Sequence, residues 1–371
     1  MKKGGKQKRT IAGAVALAML LSGCGNAQVQ QTKTTTVSTK EEASGEAAED
    51  FFPDSYQRET EKIKFDCELE VSEEFQASEF HIPIVKGFYN YDQDAARDIF
   101  VDMERVTEQY EYPPTEQMPV TEHIYIYEDG TGIYLSMAMN YYHALAQKYH
   151  RVTRESEKGA SRENFSFAEG DACVAKVRET LKEIGYPEDE FAFDWFSISG
   201  EEYAQMEQEA LAEGTLEQGY ENQEGWTEAD NSYEIYGWQM YEGLPVFPWV
   251  MTTLMKRSVE NYQKAPVSAL FTEAGMLTLM AQDAYILEKT EEKAVFKAFS
   301  EIADALVMKY ENLLDEKTYS VTRAKLVLRT YYDDQQELAA EPVWYFEIVD
   351  SAGNMEIVLI HAVTGQEIYL A

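Results

Sequence analysis

The chain has 371 residues, of which 67 are Asp or Glu and 32 are Lys or Arg, so its formal net charge is −35 at pH 7. So negative a surface repels nucleic-acid phosphates and anionic lipid headgroups, which excludes nucleic acid as a partner. Hydrophobic residues (44%) and aromatic residues (13%) are abundant enough for a packed core. The acidity is typical of a solvated surface, with attraction of a cationic partner or Ca²⁺ as the alternative.

Residues 1–23 are predicted to be an export signal. Five of the first nine residues are Lys or Arg, and the next charged residue comes only after Cys24. A basic start, an apolar run and a small-residue cleavage site are the layout of a signal peptide. The apolar run, residues 11–21, is too short to span a bilayer, which takes roughly 20 residues.

The cleavage site, Leu21-Ser22-Gly23-Cys24, resembles the bacterial lipobox. The resemblance implies that Cys24 is lipidated on its thiol and becomes the first mature residue. Acyl chains such as palmitate would then anchor the protein at the extracytoplasmic face of the cell membrane, with the membrane as a partner through this lipid. An ordinary secretory signal with a chance Cys at its end is the alternative.

Residues 24–52 are predicted to form a disordered tether. Between residues 25 and 50 there is no aromatic residue, and Gln, Thr, Ser, Ala, Glu and Lys dominate. Such a composition cannot bury enough apolar surface to fold. As a flexible coil, the tether would hold the folded part on the order of 30 Å from the lipid.

The next predicted part is an N-terminal α+β unit, residues 53–160. Alternation of polar and apolar residues indicates strands, apolar residues at helical spacing indicate a helix, and an Asp-Gly pair between two alternating runs indicates a hairpin. The predicted elements are a strand over residues 63–71, an extended segment over 80–85, a helix over 92–110 with Asp92 or Asp94 as N-cap, and a hairpin turning at Asp129-Gly130.

Two further units follow, residues 161–285 and residues 286–371. In the first we predict a helix over 172–184 ending at Gly185, a strand over 191–198, a helix over 200–213, strands over 233–241 and 244–248, and a hairpin of 267–271 with 276–280. In the second we predict a helix over 292–314, a strand over 319–331, a strand from Glu341, and a hairpin turning at 351–354.

The same order of helix, strand, Pro-bearing strand and hairpin in both units indicates an internal duplication. The fold class is therefore predicted as α+β, with antiparallel sheets each packed by a helix.

Two segments carry a resemblance to a known module. Pro342-Val343-Trp344-Tyr345-Phe346, together with residues 360–368, resembles the end of a PepSY module, although Gln366 stands where that module usually has Glu. Residues 241–247 are similar to a stretch in the YycH/YycI-like extracytoplasmic regulators of a cell-wall histidine kinase. The whole chain resembles uncharacterised clostridial-type lipoproteins. These resemblances imply two PepSY-like modules with a binding or regulatory role, and they imply no catalytic residue.

The sequence contains no recognisable set of catalytic or metal-binding residues. Its five His are scattered without ligand spacing, and it has neither a Gly-x-Ser-x-Gly nor a Ser-x-x-Lys motif. We therefore predict no catalytic residue, no metal site and no cofactor. Cys67 and Cys173 either form a disulfide in an oxidising exterior or are two buried thiols.

Aromatic residues are the better functional signal. Tyr236, Trp238, Tyr241 and Trp249 crowd one segment and are the candidate binding residues. In a strand, Tyr236 and Trp238 lie on one face and Tyr241 on the other. One face is core, and the other is a candidate platform for a peptide or glycan; packing within the sheet is the alternative for all four.

The expected function is that of a lipid-anchored, extracytoplasmic binding or regulatory protein of the bacterial cell envelope, without catalysis. Its expected partner is an envelope protein, a peptide or a glycan. The alternative is a solute-capturing lipoprotein or a cell-wall hydrolase with an unrecognised site.

Overall fold

The computed structural model describes residues 51–115, 119–152, 160–216, 221–247 and 265–369. The export signal, Cys24 and nearly all of the predicted tether lie outside the described residues, so cleavage, lipidation and a disordered tether stay predictions. Among the described residues, no helix combines the length and apolar character needed to cross a bilayer.

Within these ranges the chain forms five helices and seventeen strands. The helices are α1 Gln93–Phe100, α2 Gln147–His150, α3 Gly170–Glu183, α4 Gly200–Glu213 and α5 Phe299–Glu311. The strands are β1 Ser55–Glu59, β2 Ile63–Glu70, β3 Ile84–Phe88, β4 Val106–Tyr112, β5 Glu122–Tyr127, β6 Gly132–Leu135, β7 Met139–Tyr142, β8 Phe191–Ile198, β9 Ser232–Tyr241, β10 Leu244–Phe247, β11 Val267–Thr272, β12 Gly275–Ala281, β13 Tyr285–Glu288, β14 Tyr319–Tyr332, β15 Leu338–Asp350, β16 Met355–His361 and β17 Glu367–Ile368.

Fifteen of the strands belong to one sheet with two halves. In the central half the strand order is β8-β9-β11-β12-β7-β6-β5-β4, and every neighbouring pair is antiparallel. In the C-terminal half the order is β1-β2-β14-β15-β16-β17, in which only the β2–β14 pair is parallel. Strand β10 joins the halves, because it pairs antiparallel with β9 and parallel with β14. Strands β3 and β13 form a separate two-stranded sheet.

Each half of the sheet is packed by at least one helix and has its own hydrophobic core. Val177 and Leu181 of α3 pack in one core with Ile235 and Leu279 of the central half. In the C-terminal half, the core contains Phe299 of α5, whose ring centroid lies 4.7 Å from that of Trp344 in β15. The α+β class, with antiparallel sheets packed by helices, is confirmed.

Two predicted helices are shorter in the structure. Asp92 is the N-cap of α1 and accepts hydrogen bonds from the backbone N–H groups of Asp94 and Ala95, as predicted. The helix ends at Phe100, however, and residues 106–110 of the predicted helix lie in β4, because Val, Thr and Tyr favour a strand and β5 supplies the backbone partners.

The second shortened helix is α5, which begins at Phe299 and not at residue 292. Residues before it are held in an extended course by backbone hydrogen bonds to other segments. The N–H of Ala294 donates to the carbonyl of Phe80 at 3.0 Å, and the N–H of Lys297 donates to that of Ala362 at 2.9 Å.

Residues of the predicted N-terminal unit contribute to both halves. Strands β1 and β2 extend the C-terminal half, whereas β4 to β7 extend the central half. The unit boundaries at residues 160 and 285 stay a prediction.

Candidate binding surface

The two faces of the central half of the sheet are covered differently. Helices α1 and α3 pack on one face. On the opposite face, Tyr149 of α2 and Tyr203 of α4 pack with Leu270 of β11, so that part is covered as well. Toward β4, the opposite face is not covered by any described helix.

A row of five side chains crosses this uncovered part, which we call the open face. The pairing register places Tyr110 (β4) beside Ile124 (β5), Ile124 beside Tyr134 (β6), Tyr134 beside Asn140 (β7) and Asn140 beside Met280 (β12). Side chains directly opposite each other on neighbouring strands lie on the same face of a sheet. With strands about 4.8 Å apart, the row is about 19 Å long.

Exposure confirms that the row faces outward. Tyr110 is 43% exposed and Tyr134 is 40% exposed, and Ile124, Asn140 and Met280 are half-buried, whereas the alternate residues Tyr125, Ile133 and Leu279 are buried in the core. This alternation is what a strand with one buried and one solvated face produces.

The open face combines aromatic, aliphatic and polar side chains. It presents Tyr, Ile, Asn and Met side chains in one row, and Tyr112, 51% exposed, continues the same face of β4. Aromatic residues and Met are enriched at protein interfaces, and contiguous exposed apolar surface marks interaction sites. The hydroxyl of Tyr110 donates a hydrogen bond of 2.6 Å to the Glu108 carboxylate, which raises the pKa of Tyr110.

A polar cleft of about 410 Å³ lies beside α1 on the helix-covered side. Arg97 in its wall forms an ion pair with Asp94, with 2.9 Å between Nη1 and Oδ1. His123 places Nδ1 3.8 Å from Oε2 of Glu111. The side-chain amide of Gln93, by contrast, is held by the carbonyls of Thr121 and Ser136 at 3.2 and 3.1 Å. The wall is formed by Tyr91, Asp92, Gln93, Asp94, Arg97, Thr121, His123, Tyr125 and Leu135.

Of the four aromatic residues predicted to bind a ligand, Tyr236 and Trp238 pack in one cluster with Phe196, and Tyr241 packs against a different core. Tyr236 is buried and lies 6.1 Å from Phe196 between ring centroids. The ring centroid of Trp238 lies 5.5 Å from that of Phe247. Tyr241 packs on the other side of β9, where its ring centroid lies 5.8 Å from that of Phe80.

Trp249 lies outside the described residues. A binding role for these four residues stays a prediction. The exposed tyrosines of the open face lie on β4 and β6, in a part of the chain for which the sequence predicts no binding residue. The sequence signal for these exposed tyrosines was the predicted hairpin at Asp129-Gly130. Apolar and polar residues alternate along its second strand, and this alternation places Tyr134 on the face opposite the core.

Both cysteines in the described residues are free and buried. Burial raises the pKa of the Cys67 thiol to about 11 and also raises the pKa of Cys173. Of the two alternatives left open by the sequence, the structure therefore has the buried thiols. Within the described ranges, no three His, Cys, Asp or Glu side chains are grouped so as to hold a metal ion.

The chain matches no protein-family model, and no curated protein is similar to it in sequence. The solved structures that match this chain include the following two. An uncharacterised protein from Eubacterium rectale superposes with a TM-score of 0.60 at 12% identity, over 86% of this chain and 94% of that one. The C-terminal domain of Bacillus megaterium YpeB is matched with a TM-score of 0.30 at 10% identity, over 74% of this chain and 92% of that domain. At such low identity the first match shows a shared fold and no function, and the second is too dissimilar to carry an argument.

Proposed function

We propose that this protein is a lipid-anchored binding protein at the extracytoplasmic face of the bacterial cell membrane, and that it holds an envelope protein on the open face. The observation that carries the proposal is the row from Tyr110 to Met280, in which two exposed tyrosines, Tyr110 and Tyr134, alternate with the half-buried side chains of Ile124, Asn140 and Met280. The lipobox-like site at Cys24 supports the location.

A protein is favoured over a glycan by the make-up of the row. Sugar rings stack on flat aromatic surfaces, whereas here Ile124 separates Tyr110 from Tyr134, and Met280 ends the row. Flexible Met and branched Ile side chains adapt to the irregular surface of another protein.

The order of strand pairing supports two related PepSY-like modules. Helix α3 is followed by four strands that pair antiparallel in chain order, β8-β9-β11-β12. Helix α5 is followed in the same way by β14-β15-β16-β17. The Pro-bearing strand β10 stands outside this order, since it bridges the two halves. We propose that the modules arose by duplication and serve binding or regulation.

Site-specific photocrosslinking tests the open face in the full-length chain in its own cells. Tyr134 is replaced by p-benzoylphenylalanine, and the matched control carries the same group at Met308, which is 67% exposed on α5. We expect one discrete protein adduct from position 134, none from position 308, and loss of the adduct when Tyr110→Ala and Ile124→Ser are added. Equal adducts at both positions, or adducts with glycan alone, would overturn the proposal.

Capture of a small solute is the second candidate function, and the cleft beside α1 favours it. Its volume of about 410 Å³ is in the usual range of ligand pockets, and Arg97 and His123 would contact an anionic group. Thermal unfolding with saturating amino acids or sugars tests it. A rise in Tm that Arg97→Ala abolishes and Tyr134→Ala preserves would support solute capture, and no rise with any solute would exclude it for these classes.

A further inference from the structure

The outer edge of β4 is unpaired in the part of the chain that the structure describes. This strand ends the central half of the sheet and pairs with β5 alone. All its residues from Thr107 to Tyr112 are exposed. An open strand edge is a ready template for another strand, because it presents a line of backbone donors and acceptors.

Backbone hydrogen bonds in the neighbouring hairpin show which groups of β5 face β4. The N–H of Tyr127 donates to the carbonyl of Thr131 at 2.9 Å, and the carbonyl of Tyr127 accepts from Gly130 at 3.1 Å. The backbone groups of Tyr127 therefore face β6. Because backbone groups alternate in direction along a strand, those of Ile126 and Ile124 face β4.

The register then fixes the direction of each group in β4. Glu108 and Tyr110 are opposite Ile126 and Ile124, so their N–H and C=O groups face β5. Those of Gln109 and Glu111 face outward, away from the sheet. An added strand would bond to these two residues.

The charge of the edge selects the occupant. Glu108 lies on the open-face side of β4 and Glu111 on the other side, and β4 contains no basic residue. The nearby cation Arg105 is already paired with Asp129 at 2.8 Å. A second copy of β4 would place two carboxylates on each face of the joined edge and would supply no Lys or Arg to pair with them, which opposes self-pairing.

We propose that the β4 edge accepts an extended, basic segment of the protein partner as an additional strand. This inference rests on the proposed function and names the form and charge of its partner. Backbone bonds to Gln109 and Glu111 give the affinity, and Lys or Arg side chains beside Glu108 and Glu111 give the selectivity.

Binding of a synthetic peptide tests the edge directly in the mature chain, residues 24–371 with Cys24→Ser. The probe is acetyl-Thr-Lys-Lys-Val-Lys-Lys-Thr-amide, matched in length to the seven residues of β4 and carrying Lys on both faces of the added strand, and its control has Glu in place of Lys. Titration by calorimetry gives the dissociation constant, and hydrogen exchange over residues 106–112 reports whether the edge becomes protected.

The decisive variant is Gln109→Pro, because the proline removes an outward N–H and no β4–β5 bond. We expect it to weaken Lys-peptide binding at least tenfold, whereas Gln109→Ala, which keeps the N–H, leaves binding within about twofold. A second variant, Glu108→Lys with Glu111→Lys, keeps the backbone intact and should reverse the preference to the Glu peptide.

The outcomes distinguish a basic partner strand at the β4 edge from a second copy of the chain and from no strand at all. No binding of either peptide, or Lys-peptide binding that survives both Gln109→Pro and the double charge reversal, would overturn the edge proposal. A concentration-dependent dimer abolished by Gln109→Pro would overturn the basic occupant in favour of a second copy. If the crosslink at Tyr134 persists in Gln109→Pro while the peptide fails to bind wild type, the open-face function stands and the edge proposal alone fails.

Discussion

Replacing Gly243 by Ala tests how tightly the β9–β10 turn is built. Gly243 has a φ of +86°, and a Cβ there would lie 2.7 Å from both the N and Cα atoms of Phe75. These are backbone atoms, so no side-chain rotation relieves the clash. The ring of Phe75 lies 5.3 Å from that of Phe296 in the C-terminal core, so a shift of Phe75 is transmitted there.

Gly353 is the matched control. It occupies the β15–β16 turn with a nearly equal φ of +84°, but nothing lies within 4 Å of the position of its Cβ. Left-handed backbone costs a non-glycine residue about 1–2 kcal/mol, and Ala recovers about 0.4–1 kcal/mol by restricting the unfolded chain. Gly353→Ala should therefore lose about 1 kcal/mol. Overpacking adds about 1–3 kcal/mol, so Gly243→Ala should lose about 2–4 kcal/mol.

Urea unfolding followed by tryptophan fluorescence measures both variants. We expect a lower midpoint for Gly243→Ala than for Gly353→Ala, with the slope of the transition unchanged so that the midpoints convert to free energies. Equal losses of stability would refute the reasoning, because they would show that the Phe75 backbone yields to the added methyl without cost.

Three further predictions concern single side chains. Burial raises the pKa of Asp283 to about 6, so the unfolded state, with an ordinary pKa of about 3.9, loses its proton at lower pH than the folded state. Stability from this group is present in full below pH ~3.9 and is lost as the pH rises through about 6. Asp283→Asn should therefore stabilise the protein at pH 7.5, by at most about 3 kcal/mol, and give no gain at pH 3.5 in paired unfolding curves. Cys67 and Cys173 should react with a thiol reagent at least 100-fold more slowly in native protein than in urea, and fast native labelling would contradict their burial. Cys24→Ala should move the protein from the membrane to the soluble fraction, and retention in the membrane would exclude the lipid anchor.

Local signals predicted the central elements closely. Strand β8 and helix α4 have the predicted bounds, because Ser199 and Glu202 form a capping box and Gly214 ends α4 with a φ of +73°. The hairpin at Asp129-Gly130 formed for the same reason, since Gly130 has a φ of +92°. Helix caps and turns are determined by residues close together in the sequence, and so the sequence predicts them.

Features that depend on contacts with residues distant in the sequence could not be predicted from it. The residues of β4 satisfy a helical spacing, and only pairing with β5 makes them a strand. Likewise, the tyrosines of β9 and of β4 both alternate along a strand, but Tyr236 is buried and Tyr110 is exposed. Whether a face is covered depends on where α2 and α4 pack, which no local pattern specifies.

The open face and the β4 edge are compatible as one surface. An added strand would place alternate side chains next to Tyr110 and Tyr112 on the open face, and the others next to Gln109 and Glu111. A partner that uses both surfaces should therefore carry apolar residues beside the two tyrosines and basic residues beside the two carboxylates, Glu108 and Glu111. Because Glu108 lies on the same face as Tyr110, at least one cation must also point toward the open face. This pattern distinguishes such a segment from a uniformly basic tail, which would satisfy the charges and leave the tyrosines exposed.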